Sequence, residues 1–283
     1  MIPQLGLVAL MTNRILIVGA GICGLAVAAE LSRKMPTTLI DRLPVIGGIT
    51  SGYENSVAVE LAAQCRANGV EFLLGTAGLR WMDNKLLIAG PATGLRWLDG
   101  SHLVYAGGTR PSTAAELRLL GARLAGVYPA MVAYHLTESG VKLGLRPVII
   151  GGGRWAKRVC LALAKRRCRA TVISSDPSME TDFATTTWLG WLPVALHGYG
   201  RVAALQAERE GMVQTINCDA VVLAGMLRPM RNIDGAVFDN AQENNVSFVQ
   251  MLSETANETD RARFGRAAAS AVITRIKGIT NES

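Results

Sequence analysis

Aromatic residues and metal-ligating patterns are scarce in this sequence. Phe, Trp and Tyr make up 5% of its 283 residues, which argues against a stacking platform for single-stranded nucleic acid. The three histidines, at positions 102, 135 and 197, have no ligand spacing around them, so no metal site is predicted. Charged residues are 18% of the chain and hydrophobic residues 49%, a balance that supports a large buried core and excludes disorder.

Paired cysteines and long apolar runs are also lacking. The five cysteines include no CxxC motif, and all except Cys65 have strongly apolar neighbours, which is typical of buried free thiols in a reducing cytoplasm. The longest uncharged run, 15–29, is too short to span a bilayer, and residues 1–11 lack the basic stretch and cleavage site of a targeting peptide. We therefore expect a cytoplasmic protein without a membrane span.

The charge balance is positive. Twenty-nine Lys+Arg against 22 Asp+Glu give a net charge of +7, which favours anionic ligands such as nucleotide phosphates. Dispersed basic residues are usually a solvated surface, so the charge alone does not identify a ligand.

A glycine-rich loop follows the first apolar strand. Residues 14–18 form a short β-branched run typical of a parallel strand buried on both faces. They lead into Gly19, Gly21 and Gly24, spaced as G-x-G-x-x-G, and then into a helix rich in Ala and Leu. A second strand ends at Asp41, at the distance where an acid accepts hydrogen bonds from an adenosine ribose.

Each part of this pattern has a physical task in dinucleotide binding. Gly19 permits the tight turn, Gly21 lets the backbone approach a pyrophosphate, and Gly24 allows the helix to pack closely on the strand. The helix N-terminus offers free N–H groups to the anion. The sequence therefore predicts a dinucleotide at this loop, the alternative being a structural glycine turn.

The same order of elements returns further along the chain. A strand at 146–150 leads into Gly151, Gly153 and Ala156, a small residue accepted at the third position, and then into a helix to about residue 165. The unit is therefore predicted to be Rossmann-like.

The acid is missing from this second unit. Ser174 and Ser175 stand in its place, and Asp176 comes late, where it suits the cap of a turn. NAD(H), an adenine nucleotide or an empty, vestigial site all remain open, with NADP(H) less favoured because no Arg follows the serines.

Short segments complete the predicted architecture. We expect helices at 55–68 and 259–277 and a closing strand within 217–224. We also expect antiparallel strands at 71–74, 79–81 and 85–88, and a hairpin over 97–105.

Four motifs, taken in order, resemble the pyridine nucleotide–disulfide oxidoreductase superfamily. They are Val18-Gly-Ala-Gly-Ile-Cys-Gly-Leu with Asp41-Arg42 and the paired Gly47-Gly48; Val104-Tyr-Ala-Gly-Gly-Thr-Arg-Pro; Gly151-Gly-Gly-Arg-Trp-Ala; and Asp219-Ala-Val-Val-Leu-Ala-Gly with Arg228-Pro229. They extend over most of residues 14–230. The segment 126–130 makes the sequence most similar to FAD-containing subunits of dye-linked dehydrogenases.

The resemblance implies an α/β fold of two Rossmann-like three-layer domains, with the NAD-type domain inserted in the FAD-type domain. The implied FAD-binding domain covers 12–112 plus 226–283, and the NAD(P)-like domain covers 113–225. FAD is implied at the first loop, and NAD(P) or an adenine nucleotide at the second. The residues implied to bind these cofactors are Gly19, Gly21, Gly24, Asp41, Arg42, Gly48, Thr109, Gly151, Gly153 and Arg154.

The sequence departs from the family at two places. Residues 49–55 hold no cysteine where the disulfide members carry a redox pair, and no CxxC occurs in the second domain, so thiol–disulfide chemistry is excluded unless distant cysteines meet. Met251 and Leu252 stand where the family has the Gly-Asp whose Asp holds the flavin's ribityl chain. The resemblance therefore implies either FAD in an altered geometry or an adenine nucleotide alone.

Three functions follow as hypotheses. The first is an FAD-dependent oxidoreductase, a subunit of a hetero-oligomeric dehydrogenase complex that moves electrons between a small organic substrate and NAD(P) or another carrier. The second is a structural or regulatory nucleotide-binding subunit without catalysis, and the third an NAD-dependent dehydrogenase that uses the first loop alone. No catalytic constellation is predicted, and the isolated candidates are Tyr53, Glu54, Arg110 and His135.

Overall fold

The computed structural model describes residues 13–48, 56–179, 181–182, 184, 186–230, 233, 245–253 and 256–281. The apolar start, the segment 49–55 and its candidates Tyr53 and Glu54 lie outside the described residues. The chain divides into two compact units, of which unit 1 comprises Met1–Thr109, Pro229–Leu252 and Ala256–Ser283, and unit 2 comprises Arg110–Arg228 and Ser253–Thr255.

The helices and strands are numbered in chain order. The helices are α1 (Ile22–Leu31), α2 (Ser56–Ala67), α3 (Ala130–Glu138), α4 (Gly153–Lys165) and α5 (Glu258–Asn281). The strands are β1 (Ile15–Val18), β2 (Thr37–Asp41), β3 (Glu71–Leu74), β4 (Ala77–Met82), β5 (Lys85–Gly90), β6 (Gly94–Asp99), β7 (His102–Tyr105), β8 (Thr109–Pro111), β9 (Val127–Pro129), β10 (Pro147–Ile150), β11 (Thr171–Ser174), β12 (Thr186–Leu189), β13 (Leu192–Tyr199), β14 (Arg201–Arg209), β15 (Met212–Asn217), β16 (Ala220–Leu223), β17 (Leu227–Pro229) and β18 (Val246–Phe248).

Unit 1 is built around a parallel sheet of five strands in the order β18-β7-β1-β2-β3. The central strand β1 is apolar throughout because both of its faces are covered. One face packs against α1, with α2 and α5 on either side of that helix. The other face packs against the antiparallel sheet β4-β5-β6 through Trp81, Leu86 and Ile88. The result is three layers.

Unit 2 repeats this plan. Its parallel sheet has the order β12-β11-β10-β16-β9, and α4 packs beside α3. The antiparallel sheet β13-β14-β15 supplies Leu196, Val202 and Leu205 to the core that also holds Val148 and Ile150 of β10. The predicted α/β class, with two Rossmann-like three-layer units, is confirmed. No helix in the described part of the chain is long and apolar enough to cross a membrane.

Two strand predictions are wrong. The segment 71–74 was predicted to be antiparallel, but β3 pairs in parallel with β2 because α2 lies between them as a crossover helix. The hairpin predicted over 97–105 does not form, because β6 pairs with β5 while the fully buried β7 joins the parallel sheet beside β1. The sheet β13-β14-β15 was not predicted.

A buried histidine makes unit 1 sensitive to acid. The side chain of His102 is 1% exposed, and its Nε2 lies 2.9 Å from Oγ of Ser247 on the neighbouring strand. Burial, together with the charge of Arg275, lowers the pKa of His102 from 6.5 to about 4. Between these values the unfolded chain binds more protons than the folded one, so stability is complete above pH 6.5 and falls as the pH decreases toward 4.

We predict that His102 accounts for a loss of about 3 kcal/mol in the free energy of unfolding between pH 6.5 and pH 4. Urea unfolding at several pH values measures it, and His102→Asn should flatten the pH dependence by that amount. The matched control is His197→Asn, because His197 is exposed. Equal pH dependence in wild type and His102→Asn would refute this assignment.

Helix α5 approaches α1 closely at Gly265. A Cβ atom at this position would lie 2.6 Å from the backbone O of Cys23 and 2.8 Å from Cβ of Ala26. Alanine stabilises an unhindered helix by about 1 kcal/mol relative to glycine, whereas overpacking costs about 1–3 kcal/mol. We predict that Gly265→Ala lowers the free energy of unfolding by about 1 kcal/mol, measured by urea denaturation. Ser270→Ala, at an exposed position of α5, is the control and should change it by less than about 0.5 kcal/mol. A stabilising Gly265→Ala would show that the helices can separate without cost.

Candidate functional site

The first glycine loop begins where β1 ends. Gly19 has a φ of +116°, and a Cβ atom there would overlap the backbone O of Ala106. A Cβ atom on Gly24, in the first turn of α1, would overlap the backbone O of Gly19. Because backbone atoms cannot move aside as a flexible side chain can, both positions require glycine. The helix N-terminus is thereby held against the end of the strand.

Gly21 presents open backbone at the N-terminus of α1. It is the N-cap residue, its φ of −73° is ordinary, and no atom lies within 4 Å of the place where a Cβ would stand. The helix has no side-chain cap and no acidic residue in its first turn. The first amides of a helix lack intrahelical partners, so this end is suited to an anion.

Asp41 binds the loop from the end of β2. Its Oδ2 accepts a hydrogen bond of 2.6 Å from the Ala20 amide, and its Oδ1 accepts one of 2.8 Å from the Leu43 amide. A carboxylate has about four lone-pair sites, so acceptor capacity remains on both oxygens. Asp41 therefore shapes the loop and can still accept from the hydroxyl groups of a ribose.

The paired glycines lie against the same loop. The Gly47 amide donates to the carbonyl O of Ala20 at 2.8 Å. Gly48, with a φ of +59°, would place a Cβ atom 3.2 Å from Cα of Gly21. The structure thus brings Gly48 to the loop residues named in the sequence analysis.

Arg42 and Thr109, the two other residues predicted for the first site, both belong to unit 1. Arg42 is exposed directly after Asp41, and burial raises the pKa of Tyr105 while the charge of Arg42 opposes that shift. Thr109 is buried at the start of β8. The preceding Gly108 accepts a hydrogen bond from the Met230 amide at 3.0 Å.

The second loop has the same backbone construction. Gly151 has a φ of +96°, and a Cβ atom there would overlap the backbone of Gly225. Gly153 begins α4 with a φ of +67°, and Arg154 follows it half-buried. Arg154 lines a pocket together with Gly152, Trp155, Ala224 and Leu227.

The ribose corner of the second loop differs from that of the first. Ile173 pairs with Ile150 as Ile40 pairs with Val18, so Ser174 takes the position of Asp41. Asp176 caps a turn, because its Oδ1 accepts from the Ser178 amide at 2.8 Å and from the Ser178 hydroxyl at 2.7 Å. These hydrogen bonds hold the pKa of Asp176 below its ordinary value.

Sequence reasoning missed the residue that lies over this corner. A Cβ atom on Gly152 would overlap Sδ of Met179 and lie 2.6 Å from its Cγ. No motif indicates this contact, because a methionine after a turn has no sequence signature.

The C-terminal end of the unit 1 sheet carries a second missed feature. Beyond β18 the Val249 amide donates to the Tyr105 carbonyl at 2.9 Å. Among the described residues, the buried Nε2 of the next residue, Gln250, has no hydrogen-bond partner. Met251 is half-buried and Leu252 is 50% exposed. The position expected for Gly-Asp is therefore apolar and lies beside an unsatisfied donor.

The described residues form no site for thiol chemistry or for a metal ion. All five cysteines are free, and burial raises the pKa of Cys65 and Cys218 to about 11, so both thiols stay protonated. No cluster of His, Cys, Asp or Glu in the described ranges could hold a metal ion. Of the isolated catalytic candidates, Arg110 is engaged by Glu116 in two hydrogen bonds, of 2.8 and 2.9 Å. His135 is exposed on α3.

Solved structures share this fold over most of the chain. Thioredoxin reductase from T. acidophilum is 19% identical with a TM-score of 0.60, and the alignment covers 94% of this chain and 98% of that one. Thioredoxin reductase from Lactococcus lactis is 17% identical with a TM-score of 0.64, covering 94% and 100%. L-proline dehydrogenase from P. horikoshii is 16% identical with a TM-score of 0.62, covering 94% of this chain and 57% of that one. At these identities the likeness is one of fold.

The sequence comparisons concern the first part of the chain. Residues 4–126 match the family model described as pyridine nucleotide-disulphide oxidoreductase. No curated protein sequence matches the chain. The resemblance predicted from the motifs is confirmed: residues 4–126 match the model of the pyridine nucleotide-disulphide oxidoreductase family, and the chain shares its fold with the two thioredoxin reductases.

Proposed function

We propose that this chain is an FAD-dependent oxidoreductase, a subunit of a dehydrogenase complex that moves electrons between a small organic substrate and NAD(P) or another carrier. The observation that carries the proposal is the open backbone of Gly21 at the N-terminus of α1. Asp41 and Gly48 border the same loop. These are the parts that a dinucleotide's diphosphate and ribose require.

In this proposal the chain binds and orients the cofactor. The unpaired amides of the first turn of α1 hold the diphosphate, and no carboxylate in that turn repels it. The remaining lone pairs of Asp41 accept from the adenosine ribose. FAD, when bound, supplies the electron chemistry.

The far end of the site fits FAD in part. The buried amide nitrogen of Gln250 offers a hydrogen-bond donor at the carboxyl edge of the parallel sheet, the edge where ligands of such sheets bind. Leaving a buried donor unsatisfied costs about 1–3 kcal/mol, so a ligand that accepts from Gln250 would be stabilised. Gln250 therefore takes over part of the polar contact that Met251 and Leu252 cannot make.

In this proposal the substrate site lies on a partner subunit. Both described units have nucleotide-binding folds, and neither adds a substrate domain. The L-proline dehydrogenase of P. horikoshii, whose name states an amino-acid substrate, is covered over 57% of its length by this chain. A small organic substrate, oxidised where a partner chain adjoins the flavin, agrees with these facts.

A second candidate function is a nucleotide-binding subunit without catalysis. The apolar Met251 and the half-exposed Leu252 at the flavin end favour it. The two candidates differ in one property, because a flavoprotein is yellow and a subunit that holds an adenine nucleotide alone is colourless.

We predict that the purified protein binds FAD at about one per chain, with absorption bands near 380 and 450 nm that persist through desalting. The spectrum is recorded before and after incubation with excess FAD. A spectrum without flavin bands after incubation would refute the oxidoreductase and leave the binding subunit.

We also predict that Gly21→Val weakens FAD binding at least tenfold and, as a poorer N-cap, lowers the free energy of unfolding by no more than about 1 kcal/mol. The ordinary φ and the open surroundings of Gly21 accept a side chain in the free protein, whereas that side chain occupies the space of the diphosphate. A tenfold loss corresponds to about 1.4 kcal/mol. Calorimetric titration measures the affinity, and thermal unfolding measures the stability.

The matched control is Ala92→Val, which adds similar bulk at an exposed turn of unit 1 and should leave FAD affinity unchanged. Unchanged affinity in Gly21→Val would show that FAD does not approach this loop.

A further inference from the structure

We propose that Met179 excludes dinucleotides from the second glycine loop, so that unit 2 of this chain does not bind NAD(P). The residues of the second loop are those of a Rossmann unit, and the side chain of Met179 lies against Gly152 beside the expected ribose corner.

The backbone of the two loops is equivalent. The Gly19 amide donates to the Ile40 carbonyl at 2.8 Å, and the Gly151 amide donates to the Ile173 carbonyl at 2.8 Å. Counting onward from Gly19 and Gly151, Gly152 is the counterpart of Ala20. The strand registers make Ser174 the counterpart of Asp41.

The contents of the corner are opposite in polarity. In unit 1 the amide of Ala20 receives the carboxylate of Asp41, and one methyl group, that of Ala20, is buried beside it. In unit 2 the thioether chain of Met179 lies against Gly152. A Cβ atom on Gly152 would overlap Sδ of Met179 and would lie 2.6 Å from its Cγ and 2.8 Å from its Cε. An apolar chain thus stands beside the amide that borders the ribose in a working site.

The turn after β11 delivers Met179 to this place. The Ser174 hydroxyl accepts from the Asp176 amide at 3.1 Å, and Asp176 in turn accepts from the amide and hydroxyl of Ser178. Asp176 thus holds the turn, and the residue that follows Ser178 in the chain is Met179.

The space beside the loop is bordered by the protein itself. A pocket at the N-terminus of α4 is lined by Gly152, Arg154 and Trp155. Met179 lies against Gly152, the first of these residues. In our proposal a dinucleotide has to displace Met179 before its ribose can reach Gly152.

This inference deepens the proposed function, on which its consequence rests. If the chain carries a flavin, NAD(P)H does not deliver electrons to it through unit 2. The electron donor is then the organic substrate, and the acceptor is a carrier other than NAD(P).

The test is a calorimetric titration of the full chain with NAD⁺, which cannot reduce an oxidised flavin. FAD is kept in excess, so that the first loop is filled wherever it accepts FAD. Met179→Ala should bind NAD⁺ at least about tenfold more tightly than wild type, because the half-buried side chain of Met179 no longer has to be displaced. Met179→Leu keeps the bulk and should behave as wild type.

A second substitution, Ser174→Asp, tests whether the gain in NAD⁺ affinity arises at the second loop. Ser174→Asp restores the acid, so in the Met179→Ala background it should tighten NAD⁺ binding by about a further tenfold, and alone it should have no effect. Met212→Ala, at an exposed position of β15, is the matched methionine control. Met179→Ser shortens the same side chain and, with Met179→Ala, is the second variant that opens the loop. Thermal unfolding confirms that each protein is folded.

Two results would overturn the inference. One is NAD⁺ affinity in wild type equal to that of Met179→Ala, since Met179 would then exclude nothing. The other is no gain in either opening variant, since some other group would then close the loop. Flavin binding is read from the absorption spectrum, so a failure of the proposed function leaves this test intact.

Discussion

The backbone contact between Gly24 and the carbonyl oxygen of Gly19 sets the position of α1 on β1, and the rest of the first site depends on it. With the helix this close, its N-terminal amides stand directly beyond the edge of the sheet. Asp41, at the end of the neighbouring strand, then accepts a hydrogen bond from the Ala20 amide, and Gly48 lies against Gly21. Open backbone, an acid and paired glycines meet at one point because the contact between Gly24 and Gly19 has no room for a side chain.

Unit 2 keeps the same backbone, and in our proposal its ligand site is closed. Gly151 meets Gly225 as closely as Gly19 meets Ala106, so the turn is built in the same way. The difference lies in the turn after the second strand, where Asp176 binds Ser178 and Met179 follows. Glycine at position 152 is needed to make room for the thioether, which is a packing reason and not a binding one.

Local geometry explains what could be predicted from the sequence. The first loop was predictable because Gly19, Gly21 and Asp41 act within one strand-turn-helix-strand segment. The pairing partners predicted for β3 and β7 were wrong because strand pairing depends on residues that are distant in the chain. A short apolar run does not indicate which strand it pairs with. Met179 and Gln250 were not predictable, because their importance comes from what they lie against or fail to bond.

The central claim is that one of two similar loops binds a dinucleotide. ADP, the part that FAD and NAD have in common, tests it most directly through the number of sites found by calorimetric titration of the wild-type chain. We expect one site per chain, whose affinity Gly21→Val lowers at least tenfold. Two sites would contradict the closure of the second loop, and no site would contradict the assignment of the first.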